Sequence, residues 1–362
     1  MKRLFTVLHI CLICMVSYAE VENAFAAYVP FLDSVVTETS RGTGTKYAYT
    51  YDYRNNPIER ISYQKVSGGT WQNSTKNVYS YNTNDSIVSI STYDWESDAW
   101  ANSLKIENTY DEAGHKTSYF MQKWEQGEWV NSIKNHMTYN EQGLCVLTVR
   151  YSWTFDQWEI FAQEETTYDE QGHPTEFRYY SQGGGNLALL YRILYTFDAN
   201  GNCTLSNMQY WQYNYNTWRE AKKNEYSYDT DGNLLTDTYY GWSESANNWS
   251  KLSMEEYAYD TDGKQIMSLT IKWNSGEAHY DSKIEFMYDE NGLNSITTVY
   301  SWNSQTSSWD WRNTSYYYYR SGEMDIASPS VFPSGTIKLL HKENVYILRG
   351  DKTYTITGQA VK

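Results

Sequence analysis

Proline is nearly absent from this chain, at 5 of 362 residues, and cysteine is scarcer still at 4. Charged residues make up only 20%. A disordered tail is rich in proline and charge and poor in aromatics, so the composition argues against one. Positive charge is the minority sign, with 29 Lys and Arg against 44 Asp and Glu and a net charge of −15. That balance disfavours nucleic acid and an anionic membrane surface, both of which need a basic face. Long apolar runs are confined to Leu4–Val16, too short to span a bilayer as a helix, so no transmembrane segment is expected. Catalytic signatures are missing too: no G-x-S-x-G elbow, H-E-x-x-H, P-loop or dinucleotide fingerprint occurs. The histidines past the leader, His115, His136, His173, His279 and His341, are scattered. We therefore expect no enzyme, no cofactor and no metal.

Aromatic residues fill the space left by these absences. The chain holds 37 Tyr, 15 Trp and 10 Phe, which favour strands and large contacts. Lys2 and Arg3, the apolar run and Ser17-Tyr18-Ala19 read as a signal peptide over residues 1–19. The expected location is therefore exported: periplasm, outer-membrane surface or extracellular. A leader over 20–45 follows, then a repeat array over 46–325.

The array is built on a Tyr-Asp box. Its anchors are Tyr51, Tyr81, Tyr110, Tyr139, Tyr168, Phe197, Tyr228, Tyr259, Tyr288 and a degenerate Tyr318, at intervals of 29 to 31 residues. Such a register marks a repeat architecture. A glycine follows four residues after most anchors: Gly114, Gly143, Gly172, Gly201, Gly232, Gly263 and Gly292. Asn55 and Asp85 stand there in the first two copies. Boxes such as Tyr228-Asp-Thr-Asp-Gly232 suit a type I turn closed by a left-handed residue, with the aspartate accepting turn amides. Tryptophans recur ten residues after that glycine and again ten before the next tyrosine, flanking polar strings of variable length. Loops absorb insertions and strands do not, so a second turn lies between the tryptophans.

One unit is thus a hairpin, and ten units give about twenty antiparallel strands of eight to ten residues. The expected fold is all-β: a long meander rolled or coiled as a solenoid or shell, with a β-propeller as the alternative. Even spacing places Trp218 with Tyr226 and Tyr228, and Trp249 with Tyr257 and Tyr259, on one face. Aromatic ladders would then run inward along the whole sheet. Cys145 and Cys203 sit two units apart, roughly 19 Å at the strand spacing, so thiols are expected rather than a disulfide. His115 and His173 are separated in the same way. Copy five, Ser181–Leu190, has lost both tryptophans and reads as a break, hinge or groove. The string Gln212–Thr217 carries two tyrosines where a structural loop needs none. A binding surface for glycan or protein is accordingly expected around Trp211, Tyr213, Tyr215, Trp218, Trp242 and Trp249. A purely structural or shell-like role is the alternative.

The box Tyr226-x-Tyr228-Asp-x-x-Gly232-Asn-Leu234 resembles the YD repeat of Rhs and teneurin-type shells. That resemblance implies a hairpin spiral wrapped around a space or cargo. After the linker 326–335, the segment 336–362 resembles a short type IX sorting tail of exported Bacteroidetes proteins, or else caps the array. The chain as a whole is similar to secreted YD-like repeat proteins of that phylum.

Overall fold

The computed structural model describes residues 31–183, 186–320, 336–341, 344–349, 352–355 and 360–361, with side chains for 31–182 and 186–320. The segment read as a signal peptide and the linker 326–335 lie outside the described residues. Two units are present, divided near Ser321. The smaller is an antiparallel four-stranded sheet in sequential order: Thr336–His341, Asn344–Arg349, Lys352–Thr355 and Ala360–Val361.

The larger unit contains twenty strands and no helix among the described residues. They are β1 (Phe31–Thr39), β2 (Gly44–Tyr51), β3 (Pro57–Lys65), β4 (Trp71–Tyr81), β5 (Ile87–Glu96), β6 (Ala99–Tyr110) and β7 (Lys116–Glu125). Next come β8 (Glu128–Tyr139), β9 (Cys145–Thr154), β10 (Gln157–Tyr168), β11 (Pro174–Gly183), β12 (Asn186–Phe197), β13 (Cys203–Gln212) and β14 (Thr217–Tyr228). The last are β15 (Leu234–Ser243), β16 (Asn248–Tyr259), β17 (Gln265–Asn274), β18 (Glu277–Tyr288), β19 (Asn294–Asn303) and β20 (Ser308–Arg320). Each pairs antiparallel with its sequence neighbours, and β20 pairs with β1 from Phe31↔Arg320 to Thr39↔Asn313. The sheet is a closed barrel.

Closure corrects the expected solenoid, and the single continuous ring leaves no propeller blades. Its cause is β1, which lies inside the segment read as a leader. Leu32 pairs with Tyr319 as Leu234 pairs with Tyr228, so β1 serves as the strand that would follow a tenth Tyr-Asp turn. With both edges joined, no row of unpaired backbone groups remains at the sheet margin. Following paired residues once round the ring displaces the path along β1 by about 20 residues. Shear therefore equals strand number, a ratio that tilts the strands by about 36° and gives a circular section a backbone radius of about 19 Å. One layer of side chains does not fill a ring so wide. Accordingly, no large side chain among the described residues is fully buried. Stability here comes from pairs and rows rather than from a central core.

Both kinds of turn take the form their sequence demands. In the nine Tyr-Asp boxes from Tyr51 to Tyr288 the residue four past the anchor has positive φ, +87° at Gly114 and +75° at Gly143, and all seven expected glycines share that sign. The Asp229 carboxylate accepts the Asn233 side-chain amide and the Asn233 and Asp231 backbone N–H groups, and these bonds hold it below the usual carboxylate range against slight desolvation. The turns between tryptophans hold two residues at Ser97–Asp98 and Phe155–Asp156, both at positive φ, and four at 213–216, 244–247 and 304–307. Loop length thus accounts for units of 29 and 31 residues.

Candidate binding face

A bulge decides which residues share a face. Along β16, Trp249 pairs with Trp242 while Met254 pairs with Thr238 and Glu256 with Thr236. Residues 236, 238 and 242 lie on one side of β15, yet 249 and 254 differ by an odd number. The extra residue, Leu252, switches the parity of β16 midway. The same switch falls seven residues before each anchor after Tyr51, at Ser74, Ser103, Ser132, Phe161, Leu190, Ala221, Asp281 and, counted from Tyr319, Arg312. Tyr257 and Tyr259 therefore stand opposite Trp249, and Tyr226 and Tyr228 opposite Trp218. The expected common face is thus corrected into two.

On the tyrosine face, each anchor hydroxyl donates to a backbone carbonyl of the preceding hairpin, two residues past its turn glycine. Tyr228 reaches Cys203 O at 2.8 Å, Tyr259 Leu234 O at 2.8 Å and Tyr288 Gln265 O at 2.6 Å. Tyr51 closes the seam on Leu32 O at 2.7 Å. The tenth member is Tyr319, bonded to Asn294 O at 3.0 Å, rather than the expected Tyr318. That one-residue correction also brings Trp309 into the tryptophan register. The recipient carbonyl lies beyond the last backbone pair between the two strands, so the phenol satisfies a group the ladder leaves over. All four buried apolar residues, Met121, Ala162, Phe177 and Leu234, are on this face. Burial pushes the phenol of Tyr228 up to about 12, which keeps it a donor.

On the other face the tryptophans pair across their turns, edge to face. Trp211 and Trp218 have ring centroids 5.0 Å apart at 67°, and Trp242 and Trp249 are 5.1 Å apart at 67°. Equivalent pairs occur at 95/100, 124/129, 153/158 and 302/309. Cations join one hairpin to the next. Lys223 lies 4.8 Å from the Tyr240 ring and 5.1 Å from Trp249, and Lys76, Lys134 and Lys283 repeat the arrangement. The row is therefore aromatic and cationic by turns, not the continuous ring ladder expected. These cations stand five residues before the anchors, a spacing visible in the sequence.

Four of the six expected ligand residues, Trp211, Trp218, Trp242 and Trp249, are thus half-buried members of structural pairs. Tyr213 and Tyr215, on the β13–β14 turn, are exposed at 59% and 75%. Tyr213 sets its ring edge-on to Trp211 and its hydroxyl donates to Leu189 O of the neighbouring hairpin. Tyr215 shows no such packing. Phe155, on the β9–β10 turn and hidden in a polar string of the sequence, is 95% exposed and has φ +49°. Its bulky side chain occupies a turn position that suits Asn or Gly, so it serves neither packing nor the local backbone.

Between these aromatic turns lies hairpin five. Its strands stay paired from Glu176↔Leu194 to Gly183↔Asn186, so the expected break does not reach the backbone. What is missing is the ring pair, since Gln182 faces Leu187 where six other hairpins set two indoles; β3–β4 and β17–β18 keep a single one, at Trp71 and Trp273. Beneath the gap, polar side chains bridge four strands. Arg178 Nη2 donates to Glu176 at 2.9 Å, Arg192 bonds both Glu176 (3.3 Å) and Gln209 (2.8 Å), and Gln209 donates to Glu220 Oε1 at 2.7 Å. Arg192 also lies 4.3 Å from the Trp218 ring.

Among the described residues, neither the cysteines nor the histidines form a centre. Cys145 and Cys203 lie on β9 and β13 and are not joined in a disulfide. Burial first of all pushes the Cys203 thiol to about 11. His115 and His173 each bond their own turn aspartate and stack on the next anchor ring, at 4.8 Å on Tyr139 and 4.7 Å on Phe197. They brace adjacent turns. No group of metal-ligating residues occurs among the described residues.

Residues 250–320 match a family of unknown function, DUF3836. A DUF3836 family protein from Bacteroides vulgatus is similar at 21% identity and a TM-score of 0.23, over 25% of this chain and 90% of its own. A protein of unknown function from Bacteroides fragilis matches at 20% identity and a TM-score of 0.26, over 38% and 88%. A porin-like protein from Bacteroides uniformis aligns over 80% of this chain and 96% of its own, at 9% identity and a TM-score of 0.31. No curated protein matches the chain significantly. No helix among the described residues is long and apolar enough to cross a membrane.

Proposed function

We propose that this barrel is an exported, non-catalytic binding scaffold that presents its tryptophan-turn rim to a glycan or protein. The observation that carries the reading is the aromatic exposure of two turns there, Phe155 on one and Tyr213 with Tyr215 on the other. Most of the barrel's other aromatics lie in pairs, stacks and hydroxyl bonds, whereas the Phe155 and Tyr215 rings make no such contact; Tyr53, 78% exposed, lies on a Tyr-Asp turn instead. Exposed aromatics grouped on one rim are the usual anchors of recognition surfaces. The fold supplies a rigid frame for them, and its repeats let loops vary without disturbing the strands. Export fits the basic and apolar start of the chain.

A structural role is the second reading, favoured by how many aromatics the barrel uses internally. Immobilised protein exposed to a glycan array and to purified collagen, laminin and mucin separates the two. Binding that falls at least tenfold in the Phe155→Ala/Tyr215→Ala double variant, with unchanged circular dichroism, supports the scaffold. Silence on every surface leaves the structural reading.

A further inference from the structure

Hairpin five combines three features that no other hairpin joins. Its ring pair is absent, its neighbours on both sides carry the exposed aromatics Phe155 and Tyr213–Tyr215, and an extended polar network runs beneath it. Leu190, the bulge residue of this hairpin, is itself 44% exposed. The gap is one hairpin wide, flanked by the Trp153–Trp158 pair on β9–β10 and the Trp211–Trp218 pair on β13–β14.

The network is unfinished at both ends. Arg178 Nε is a buried donor without a partner, and Glu220 Oε2 is a buried acceptor without one. A cationic donor at one margin of the network and a carboxylate acceptor at the other suit a ligand that both donates and accepts. Hydroxyl groups do both, whereas a carboxylate or phosphate only accepts and an ammonium only donates. The network spans β11 to β14, three strand spacings or about 14 Å, and the two aromatic turns stand four spacings or about 19 Å apart, which is the reach of about four linked sugar rings. Neutral sugars also present flat C–H faces to aromatic rings. The net charge of −15 disfavours polyanionic glycans.

From this we infer that hairpin five forms a subsite for a neutral oligosaccharide. Its sugar rings pack on Phe155, Tyr213 and Tyr215, and its hydroxyls bond the ends of the network through the Arg178 guanidinium, whose side chain is 43% exposed, and the Glu220 carboxylate. The inference rests on the binding reading above and names its ligand class and place.

Isothermal titration of the full chain with cellohexaose, chitohexaose, mannohexaose and xylohexaose, and with hexagalacturonate as the anionic probe, tests it. At least one neutral hexasaccharide is expected to bind. Tyr215→Ala and Phe155→Ala should each weaken it tenfold or more, and Glu220→Gln fivefold or more. Tyr53→Ala, an exposed ring on a Tyr-Asp turn, should leave it unchanged. Glu220→Gln keeps an oxygen for Gln209, and Tyr215→Ala touches no packed residue, so at least one variant reports on a folded barrel. The subsite is overturned if only hexagalacturonate binds, or if the neutral sugars bind equally well to all the variants. The broader scaffold survives both results, whereas silence from every saccharide and matrix protein removes both proposals.

Discussion

The nine tyrosine clasps can be tested in both directions because the protein contains its own natural deletion. Phe197 occupies the sixth anchor position, at the end of hairpin five, and has no hydroxyl to give to Pro174, the residue two past Gly172. Its ring nevertheless stacks on His173 at 4.7 Å and 19°, almost as Tyr139 stacks on His115 at 4.8 Å and 22°. The two anchors are therefore superposable, and a phenol at 197 points where Tyr139 points. Replacing Tyr259 by Phe removes a 2.8 Å bond to the carbonyl of Leu234, a residue only 4% exposed. A hydrogen bond contributes about 0.5–1.5 kcal/mol net, and stranding a buried carbonyl raises the loss toward 1–3 kcal/mol. For a domain of this size that is a fall in Tm of about 2–6 °C. Phe197→Tyr should raise Tm by about 1–3 °C on the same scale. Clasps several hairpins apart share no partners, so Tyr81→Phe, Tyr139→Phe and Tyr259→Phe together should lose roughly the sum of their separate effects. Scanning calorimetry on the four single variants and the triple measures all of this. If Tyr259→Phe is neutral and Phe197→Tyr destabilises, the hydroxyls do not hold the hairpins together.

Two further outcomes follow from the same geometry. Gly143 has φ +75°, and an added Cβ would lie 2.6 Å from His115 Nε2, whereas one at Gly114 (φ +87°) would meet nothing within 4 Å. Gly143→Ala should cost more than Gly114→Ala, whose loss is the left-handed backbone strain of about 1–2 kcal/mol, and thermal denaturation of the pair measures the difference. Burial raises the phenols of Tyr81, Tyr195 and Tyr228 to about 12. Their folded values lie above the unfolded value of about 10, so this stabilisation is complete below pH 10 and is lost as pH climbs from about 10 to 12. Unfolding followed by circular dichroism should coincide with tyrosinate absorbance in that window; full stability at pH 12 would contradict it.

The unit, its two turns and its ten-fold count are legible in the sequence because each is local. Tyr-Asp-x-x-Gly dictates a backbone sign, and polar strings of variable length can only be loops. Tyr213 and Tyr215 were legible for the same reason, as aromatics in a string that needs none. Closure was not, because β1 belongs to a turn-less tenth hairpin whose halves, around Leu32 and Tyr319, lie at opposite ends of the chain. The two faces were not legible either. Residues such as Ala221 and Leu252 share no side-chain chemistry, so the bulges they form leave no compositional mark. Parity counted across a bulge inverts, and the tryptophan pairs were thereby assigned to the tyrosine rows. Phe155 stands alone among polar residues, so composition does not single it out.

The closed ring itself is most directly tested at its seam, where Thr37 and Ser315 are directly paired and their hydroxyl oxygens lie 2.8 Å apart. Side chains this close are within disulfide reach. In the Thr37→Cys/Ser315→Cys variant, mild oxidation followed by peptide mapping should recover an intramolecular 37–315 disulfide in a monomer, formed without loss of structure. Failure to form that link, or its appearance only between molecules, would mean that the first and last strands do not meet.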